Sequence, residues 1–301
     1  MSVVKIGTRG SQLALYQAHR IQDALARLGV PAQPVVIQTK GDRIQDRPLQ
    51  SMGTGIFTKA LDDALLADEV DLAVHSMKDV PTQLPAPMEA WAVLERGLPG
   101  DVLVGHDPLS TVVATGSIRR KAQWLHRHPD HTSVGLRGNV ETRLAKVKSN
   151  PWRGGIFAAA GLDRLGLLEG LEGVEHLDWM VPAPAQGSIL VVGLQGREDL
   201  KRAVVQMDHP ESSMAASIER AFLCALEGGC AAPIGAHARV HGPHVTFTGC
   251  LNSLDGQAEL RIERTSEQAH AELGSAWAQE LLSSGGQAIM DGIRERTEGD
   301  G

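Results

Sequence analysis

The sequence predicts an α/β protein with two successive α/β lobes, a cleft between them, and a smaller α+β third domain. In the first half, short apolar runs alternate with helical patterns, and this alternation restarts after the Gly-Leu-Pro-Gly run at residues 97–100. From about Glu211 the pattern changes to alternating strands joined by turns. Alternation of strand and helix favours a mainly parallel sheet with helices on both faces. The predicted domains are residues 1–96 with 188–209, residues 97–187, and residues 210–301.

Hydrophobic periodicity defines the elements of the first lobe. Strands are predicted at residues 3–6, 35–37 and 71–75. A helix is predicted from Ala14 to Leu28, where apolar residues recur at helical spacing. A second helix contains Leu61 and Leu65, with Asp62 expected on its solvent-exposed side.

The second lobe and the third domain follow from the same signals. Strands are predicted at residues 112–114, 134–136 and 156–159. A helix is expected to begin near Ser117, and Asn139 is a candidate N-cap for the next one. The His-Gly-Pro run at residues 241–243 lies between two alternating segments, which is typical of a hairpin. A last helix is predicted over residues 267–282.

Composition restricts the class of protein. The chain has 301 residues, of which 42% are hydrophobic and only 3% aromatic, and a formal charge of −7. Net negative charge disfavours binding to nucleic acid or to membranes. There is neither a signal-peptide pattern nor an apolar run long enough to span a bilayer. Three cysteines do not make a disulfide scaffold. We therefore expect a cytoplasmic monomer with reduced thiols.

Cations, hydroxyls and glycines follow the predicted strands. Ligands of open α/β sheets bind beyond the carboxyl ends of the strands, and arginine forks match carboxylates or phosphates. The side chains in question are Arg9, Ser11, Ser76, Lys78, Thr115, Ser117, Arg119, Arg120, Arg137, Arg143 and Arg164, with Gly161 at the last strand end. The sequence thus predicts a site for a ligand with several negative groups.

Asp79 is an acid at these strand ends, and it directly follows Lys78. One interpretation is a structural surface pair with Lys78. The other is an acid–base group among cations, where cationic neighbours lower the pKa and burial raises it. The residues alone leave both interpretations open.

Cys230 follows Gly228 and Gly229 and precedes Pro233, which places it on a loop. An inert cysteine is one interpretation, and it is the one we adopt for Cys224 and Cys250. A loop cysteine that faces a cationic site would instead have a lowered pKa and nucleophilic character.

Two other signals are weak. The Gly-Thr-Gly run at residues 53–55 lacks the full glycine pattern of a dinucleotide-binding loop, so a nicotinamide enzyme is disfavoured. His126, His128 and His131 have no cysteine or carboxylate set to complete a metal site, and no metal is predicted.

Five blocks of this chain, in order, resemble the porphobilinogen deaminase (hydroxymethylbilane synthase) family. The blocks are Ala-Val-His-Ser-Met-Lys-Asp-Val-Pro at 73–81, Ser-Ile-Arg-Arg at 117–120, Leu-Arg-Gly-Asn-Val at 136–140, Ala-Gly-Leu with Arg-Leu-Gly at 160–166, and Leu-Glu-Gly-Gly-Cys with Pro-Ile-Gly at 226–235. The resemblance covers nearly the full length. It implies two lobes like those of class II periplasmic binding proteins, and a third domain that carries the cofactor cysteine.

The resemblance also implies the reaction and its residues. Four porphobilinogens condense head to tail with loss of four ammonia molecules, primed by a dipyrromethane cofactor on a thioether of Cys230. Asp79 matches the catalytic aspartate, which would stabilise cationic intermediates and shuttle protons. The carboxylates of the growing chain would pair with Arg9, Ser11, Lys78, Thr115, Ser117, Arg119, Arg120, Arg137, Arg143 and Arg164. Gln17 and Phe57 also match site positions, and Ser76 and Gly161 are further candidates.

Some positions depart from the family pattern. Thr54 stands where a lysine is common, in a loop one residue shorter, which leaves one cation without an equivalent. Gly116 replaces a common Ser or Thr, Ala185 replaces a usual Gly, and residues 105–112 look shortened. The alternative function is a non-enzymatic, two-lobe anion-binding module, and release of ammonia from porphobilinogen would distinguish the two.

Overall fold

The computed structural model describes residues 3–38, 58–105, 107–226 and 232–299. Within them the chain forms two five-stranded sheets and one three-stranded sheet. Its contacts divide it into a first unit, Met1–Gly97 with Gly187–Ser213, and a second unit, Leu98–Gln186 with Met214–Gly301. The predicted α/β class, with a smaller α+β part, is confirmed.

The first unit is a mixed sheet covered by helices. Its elements are β1 (Val4–Thr8), α1 (Gln12–Arg27), β2 (Ala32–Val36), α2 (Lys59–Leu66), β3 (Leu72–Ser76), β4 (Met88–Val93), β10 (Ile189–Leu194) and α6 (Glu198–Val204). The strand order is β2-β1-β3-β10-β4, and β10 is antiparallel to both neighbours. Ile21 and Leu25 of α1 pack on Ile6 and Leu72, all with 0% exposure. This packing holds α1 against the sheet. Since β1 and β3 pair in parallel, their carboxyl ends lie along one edge.

The sheet of the second unit repeats the same topology. Its elements are β5 (Asp101–Gly105), β6 (Val112–Ala114), α3 (Ile118–Arg127), β7 (Thr132–Val134), α4 (Val140–Lys148), β8 (Gly154–Ala158), α5 (Ala159–Arg164) and β9 (Val174–His176). The order is β7-β6-β8-β5-β9, with β5 antiparallel to β8 and β9. In the spatial order of each sheet, the fourth strand (β10 or β5) is antiparallel to its neighbours. Each of these strands is the first one after the chain crosses from the other unit. This arrangement is that of a two-lobe α/β fold.

The remaining elements form a three-stranded antiparallel sheet with helices. They are α7 (Pro210–Ala225), β11 (Ile234–His241), β12 (His244–Asn252), β13 (Glu259–Ser266), α8 (Glu272–Leu281) and α9 (Gln287–Gly299). The predicted hairpin is confirmed, because His241 pairs with His244. Phe247 stacks on Trp277 at 4.8 Å between ring centroids and contacts Phe222 edge-on at 5.0 Å.

The structure corrects several details of the sequence prediction. Asp62 is not on the solvent side of its helix: its side chain is only 17% exposed and lies 3.5 Å from His75. The last predicted helix begins at Glu272 rather than at 267, because Ser266 Oγ accepts a hydrogen bond from Gln268 N at 3.1 Å and closes a turn. Among the residues that the structure describes, no helix is long and apolar enough to cross a membrane.

Candidate functional site

The edge of the first unit holds the side chains that follow β1. Ser11 is the N-cap of α1, where its Oγ accepts a hydrogen bond from Ala14 N at 3.3 Å. Arg9 is half-buried between β1 and this cap. Gln17 is 2% exposed and donates from Nε2 to Ser76 Oγ at 2.8 Å, so these two candidates are joined across the sheet edge.

Asp79 lies in a short 3-10 turn, Met77–Asp79, directly after β3. Met77 and Val80 are buried on either side of it, and Met77 N donates to Ser188 O at 3.0 Å. Because its apolar flanks are anchored, the turn holds Lys78 half-buried and Asp79 exposed to solvent. The predicted Lys78–Asp79 surface pair and the predicted acid–base role are both compatible with this placement.

A buried pair that the sequence interpretation missed lies beside this turn. His75 Nε2 is 3.5 Å from Asp62 Oδ1, at ion-pair distance but without the alignment of a hydrogen bond. Burial raises the pKa of Asp62 to about 6, against a smaller lowering by the hydroxyl of Thr58. Burial, together with the charge of Arg9, lowers the pKa of His75 to about 4. Helical spacing from Thr58 and Leu65 could have indicated that Asp62 faces inwards.

In the second unit, Arg119 and Arg120 are buried around one carboxylate. Arg119 Nη2 and Arg120 Nη2 each lie 2.8 Å from an oxygen of Asp101, and Arg120 Nε donates to Oδ1 at 3.0 Å. Arg119 also donates to Val181 O at 2.7 Å. Burial raises the pKa of Asp101, but the two guanidiniums lower it by more, to about 2. Two cations therefore share one anion.

Gln186 completes this cluster. Its Nε2 donates to Asp101 Oδ1 at 2.9 Å and to Pro99 O at 2.7 Å, and its Oε1 accepts from Arg120 Nη2 at 3.5 Å. The side chain is 1% exposed. Arg119 and Arg120 were predicted as ligand-binding cations. In the structure both contact Asp101 of β5, and Arg119 donates to Val181 O, so they hold the start of α3 to these two segments.

Thr115 and Ser117 organise the start of the same helix. Ser117 is its N-cap and accepts from Arg120 N at 3.5 Å, while Thr115 Oγ1 accepts from Ser117 N at 3.2 Å. Between them, a Cβ added to Gly116 would lie 2.7 Å from Leu136 O. Glycine therefore fits here where a larger residue would have to displace the backbone.

The other predicted arginines are half-buried. Arg143 lies over the ring of Phe157, 5.1 Å from its centroid, and burial followed by the charge of Arg120 lowers the pKa of Arg143 to about 10. Arg137 has a buried Nη1 without a hydrogen-bond partner among the described residues. Arg164 ends α5, in the helix that also contains Gly161.

The cysteines differ in setting. Cys224 is exposed, whereas Cys250 is buried and its pKa rises to about 12, mainly because of burial. Cys230 comes between the end of α7 and the start of β11 and lies outside the described residues. Phe57 and Thr54 also lie outside the described residues. Within the described part of the chain, no group of three or more His, Cys, Asp or Glu could hold a metal ion. His128 and His131 instead stack on each other at 4.9 Å.

The described residues fit an anionic pyrrole cofactor with several carboxylates. Arg119 Nε and Arg137 Nη1 are buried donors that lack a hydrogen-bond partner among the described residues. A buried donor without an acceptor lowers the stability of the fold, because the hydrogen bond it made to water is lost. Arg119 and Arg120 share the single carboxylate of Asp101. The unpartnered donors of Arg119 and Arg137 favour an added anion at this site.

Two family models match the chain. "Porphobilinogen deaminase, dipyromethane cofactor binding domain" matches residues 4–202, and "Porphobilinogen deaminase, C-terminal domain" matches residues 214–283. A porphobilinogen deaminase of Pelobacter propionicus is 38% identical over 304 residues, covering 97% of this chain and 98% of that protein. One from Roseiflexus castenholzii is 41% identical over 297 residues, covering 95% and 98%. Among solved structures, a periplasmic binding protein of Salmonella typhimurium shows a TM-score of 0.42 and 10% identity, covering 71% of this chain and 94% of that one.

Proposed function

Since this chain belongs to the porphobilinogen deaminase family, we propose that Asp79 carries its chemistry in each cycle and that Cys230 anchors the primer. The reaction is the stepwise, head-to-tail condensation of four porphobilinogens, with release of four ammonia molecules, to give hydroxymethylbilane. The enzyme is thus a transferase of tetrapyrrole and haem biosynthesis. Its cofactor, a covalent dipyrromethane, supplies the pyrrole carbon to which the first substrate is joined.

The observation that carries the role of Asp79 is the anchored Met77–Asp79 turn. It holds the exposed carboxylate of Asp79 at the end of a buried strand. The turn cannot shift without exposing the buried side chains of Met77 and Val80. A carboxylate in that position can accept hydrogen bonds from pyrrole N–H groups and stabilise positive charge as ammonia leaves. The same oxygen can then take the proton from the carbon that has formed the new bond.

The cations are proposed to bind and orient the substrate. Each pyrrole ring brings an acetate and a propionate, so the growing chain adds two carboxylates at every step. The groups that we assign to these carboxylates are Arg9, Ser11, Lys78, Thr115, Ser117, Arg119, Arg120, Arg137, Arg143 and Arg164, with Gln17, Phe57, Ser76 and Gly161 as further contacts. Arginine suits this task because its fork binds a carboxylate bidentately.

Intact-mass measurement of the protein from a haem-making host tests the role of Cys230. The expected mass exceeds that of the chain by two linked pyrroles. Cys230→Ser should lose this addition, whereas Cys224→Ser, a change at an exposed cysteine, should keep it. An unmodified wild-type mass would contradict the proposal.

Turnover tests the role of Asp79. Asp79→Asn should keep the added mass but lose activity by roughly 100- to 10,000-fold, the range typical of a lost acid–base group. Asp23→Asn changes an exposed aspartate of the same unit and should leave turnover unchanged. If Asp79→Asn releases ammonia at the wild-type rate, another group performs the proton transfer.

We further propose that the enzyme is a cytoplasmic monomer that binds neither nucleic acid nor membranes, with the three domains predicted above. The formal charge of −7 supports the absence of a polyanionic partner. Light scattering after gel filtration tests the monomer. The non-enzymatic anion-binding module is not favoured.

A further inference from the structure

Asp62 of α2 and His75 of β3 form a buried polar contact between helix and sheet, here named the Asp62–His75 pair. His75 Nε2 lies 3.5 Å from Asp62 Oδ1, and the two side chains are 4% and 17% exposed, respectively. Neither atom has a hydrogen-bond partner among the described residues. Burying polar atoms without hydrogen bonds is unfavourable, so packing alone does not explain the pair.

One shared proton would satisfy both atoms. Burial lowers the pKa of His75 to about 4, so its imidazole is neutral and carries a single N–H. Burial raises the pKa of Asp62 to about 6. Below that pH the carboxylic acid can donate to Nε2, and above it the carboxylate can accept from Nε2–H. The charged groups that act on the pair are Arg9, on His75, and Lys59 and Asp63, on Asp62.

The ionised carboxylate of Asp62 lowers the stability of the fold. Because its folded-state pKa lies above the ordinary value of 3.8, stability falls as the pH rises from about 4 to 6 and stays at the lower level above that range. A neutral side chain of similar size would not have this effect. A buried group that destabilises the fold next to a candidate site indicates a functional role.

The end of β3 leads directly into the turn that carries Asp79. The pairing of β3 with β1 covers Leu72 and Ala73, whereas its pairing with β10 continues to Ser76. His75 lies in this last part of the strand, where the register with β1 has ended. Its contact with α2 is therefore a second attachment for the strand end, in addition to β10.

We propose that Asp62 and His75 are positioning residues for Asp79, because the hydrogen bond that they share holds the end of β3, and with it the turn Met77–Asp79, in place for the reaction. The inference rests on the proposed function and adds to it two residues that touch no substrate. Misplacement of a reacting group by about 1 Å lowers a rate by up to roughly 100-fold. The effect falls on kcat more than on KM, since Asp79 acts on charge that develops in the transition state.

Two substitutions of Asp62 separate the hydrogen bond from the charge. Asp62→Asn and Asp62→Leu both remove the ionisable group, so both should raise the free energy of unfolding at pH 8. Only asparagine can hydrogen-bond to His75, since an amide both donates and accepts. Asp62→Leu should lower kcat by roughly 10- to 100-fold with little change in KM, whereas Asp62→Asn should stay close to wild type. Asp63→Asn changes an exposed aspartate of the same helix and should match wild type.

Two substitutions of His75 repeat the test without removing the acid. The side-chain nitrogen of glutamine can take the place of Nε2, whereas asparagine is one methylene shorter and does not reach Asp62. His75→Gln should therefore keep kcat, and His75→Asn should lower it as Asp62→Leu does. Combining His75→Asn with Asp62→Leu should be no slower than the slower single variant, because each change removes the same hydrogen bond.

The outcomes separate this inference from the function on which it rests. A wild-type protein without dipyrromethane mass and without turnover would overturn the proposed function itself. An active, loaded wild type whose Asp62→Leu and Asp62→Asn forms have the same kcat would overturn the positioning role alone. A slow Asp62→Leu that keeps the added mass and melts no lower than wild type would support it, because loss of folding does not explain the lower rate. If Asp62→Leu folds poorly, the His75 variants decide, and equal kcat values for His75→Gln and His75→Asn would overturn the role.

Discussion

Replacing Asp101 by asparagine removes the carboxylate that Arg119 and Arg120 both contact, with almost no change of shape. In the native state this group meets three side chains: Arg119 Nη2 at 2.8 Å, Arg120 Nη2 at 2.8 Å and Gln186 Nε2 at 2.9 Å. The substitution removes the carboxylate that both buried guanidiniums contact. Removing one partner of a buried ion pair costs about 3–5 kcal/mol. We expect Asp101→Asn to lower the free energy of unfolding by that amount at pH 7.

The pKa of Asp101 gives an independent lower estimate. It falls from an ordinary value of 3.8 to about 2, which corresponds to about 2 kcal/mol of stability from ionisation alone. Because the folded-state pKa is the lower one, this contribution is present above about pH 4 and is lost as the pH falls towards 2. The difference between wild type and Asp101→Asn should therefore shrink on acidification.

Urea unfolding followed by tryptophan fluorescence measures this difference. Trp124, which is 1% exposed, reports on the helix that carries both arginines. Asp130→Asn changes an exposed aspartate in the same unit and serves as the control. If Asp101→Asn shifted the unfolding midpoint no more than Asp130→Asn, or by the same amount at pH 7 and pH 3, the assignment of a buried, ionised Asp101 would be refuted.

Three further predictions concern backbone fit and pH. Ala185 has a φ of +59°, in the left-handed region that favours glycine. In thermal unfolding, Ala185→Gly should therefore keep or raise the melting temperature, whereas Ala185→Val should lower the free energy of unfolding by more than about 1 kcal/mol. Gly116→Ala places a Cβ 2.7 Å from Leu136 O and should cost about 1–3 kcal/mol, measured by urea unfolding. The pKa of Asp62 is raised from 3.8 to about 6, so the fold loses stability as the pH rises from about 4 to 6 and the loss is complete above that range. Asp62→Asn should raise the free energy of unfolding by about 3 kcal/mol at pH 8, and this gain should vanish below about pH 4. His75 stays neutral above its pKa of about 4, so a gain independent of pH would contradict this account.

Local signals in the chain predicted most of the fold. Ser11, Ser117 and Asn139 cap their helices as side-chain acceptors, which depends only on residues three positions away. The hairpin at His241 and His244 follows from its own turn residues. Strand boundaries were less accurate: β7 covers Thr132–Val134 rather than residues 134–136. β5 and β10 were not predicted, because their near-continuous apolar runs carry no period.

The candidate site divides in the same way. The motif blocks identified Asp79, the paired arginines and Cys230 from short runs of sequence, and the first two groups lie at strand ends as expected. Asp62 was predicted on the exposed face of α2, because its charge counted for more in that prediction than its helical spacing from Leu65. The structural assignment of Asp62 depends on His75, which comes from a neighbouring strand.

The family, the α/β class and the identities of the chemical groups follow from the amino-acid sequence, because each depends on patterns within a few residues. Which charges are buried, and which groups they contact, depends on the folded chain. Asp101 and Gln186 are 85 residues apart, yet they contact each other and both contact Arg120 in the first turn of α3. No local pattern encodes such a contact, since the attraction between these charges offsets the cost of their desolvation only where the fold buries them together.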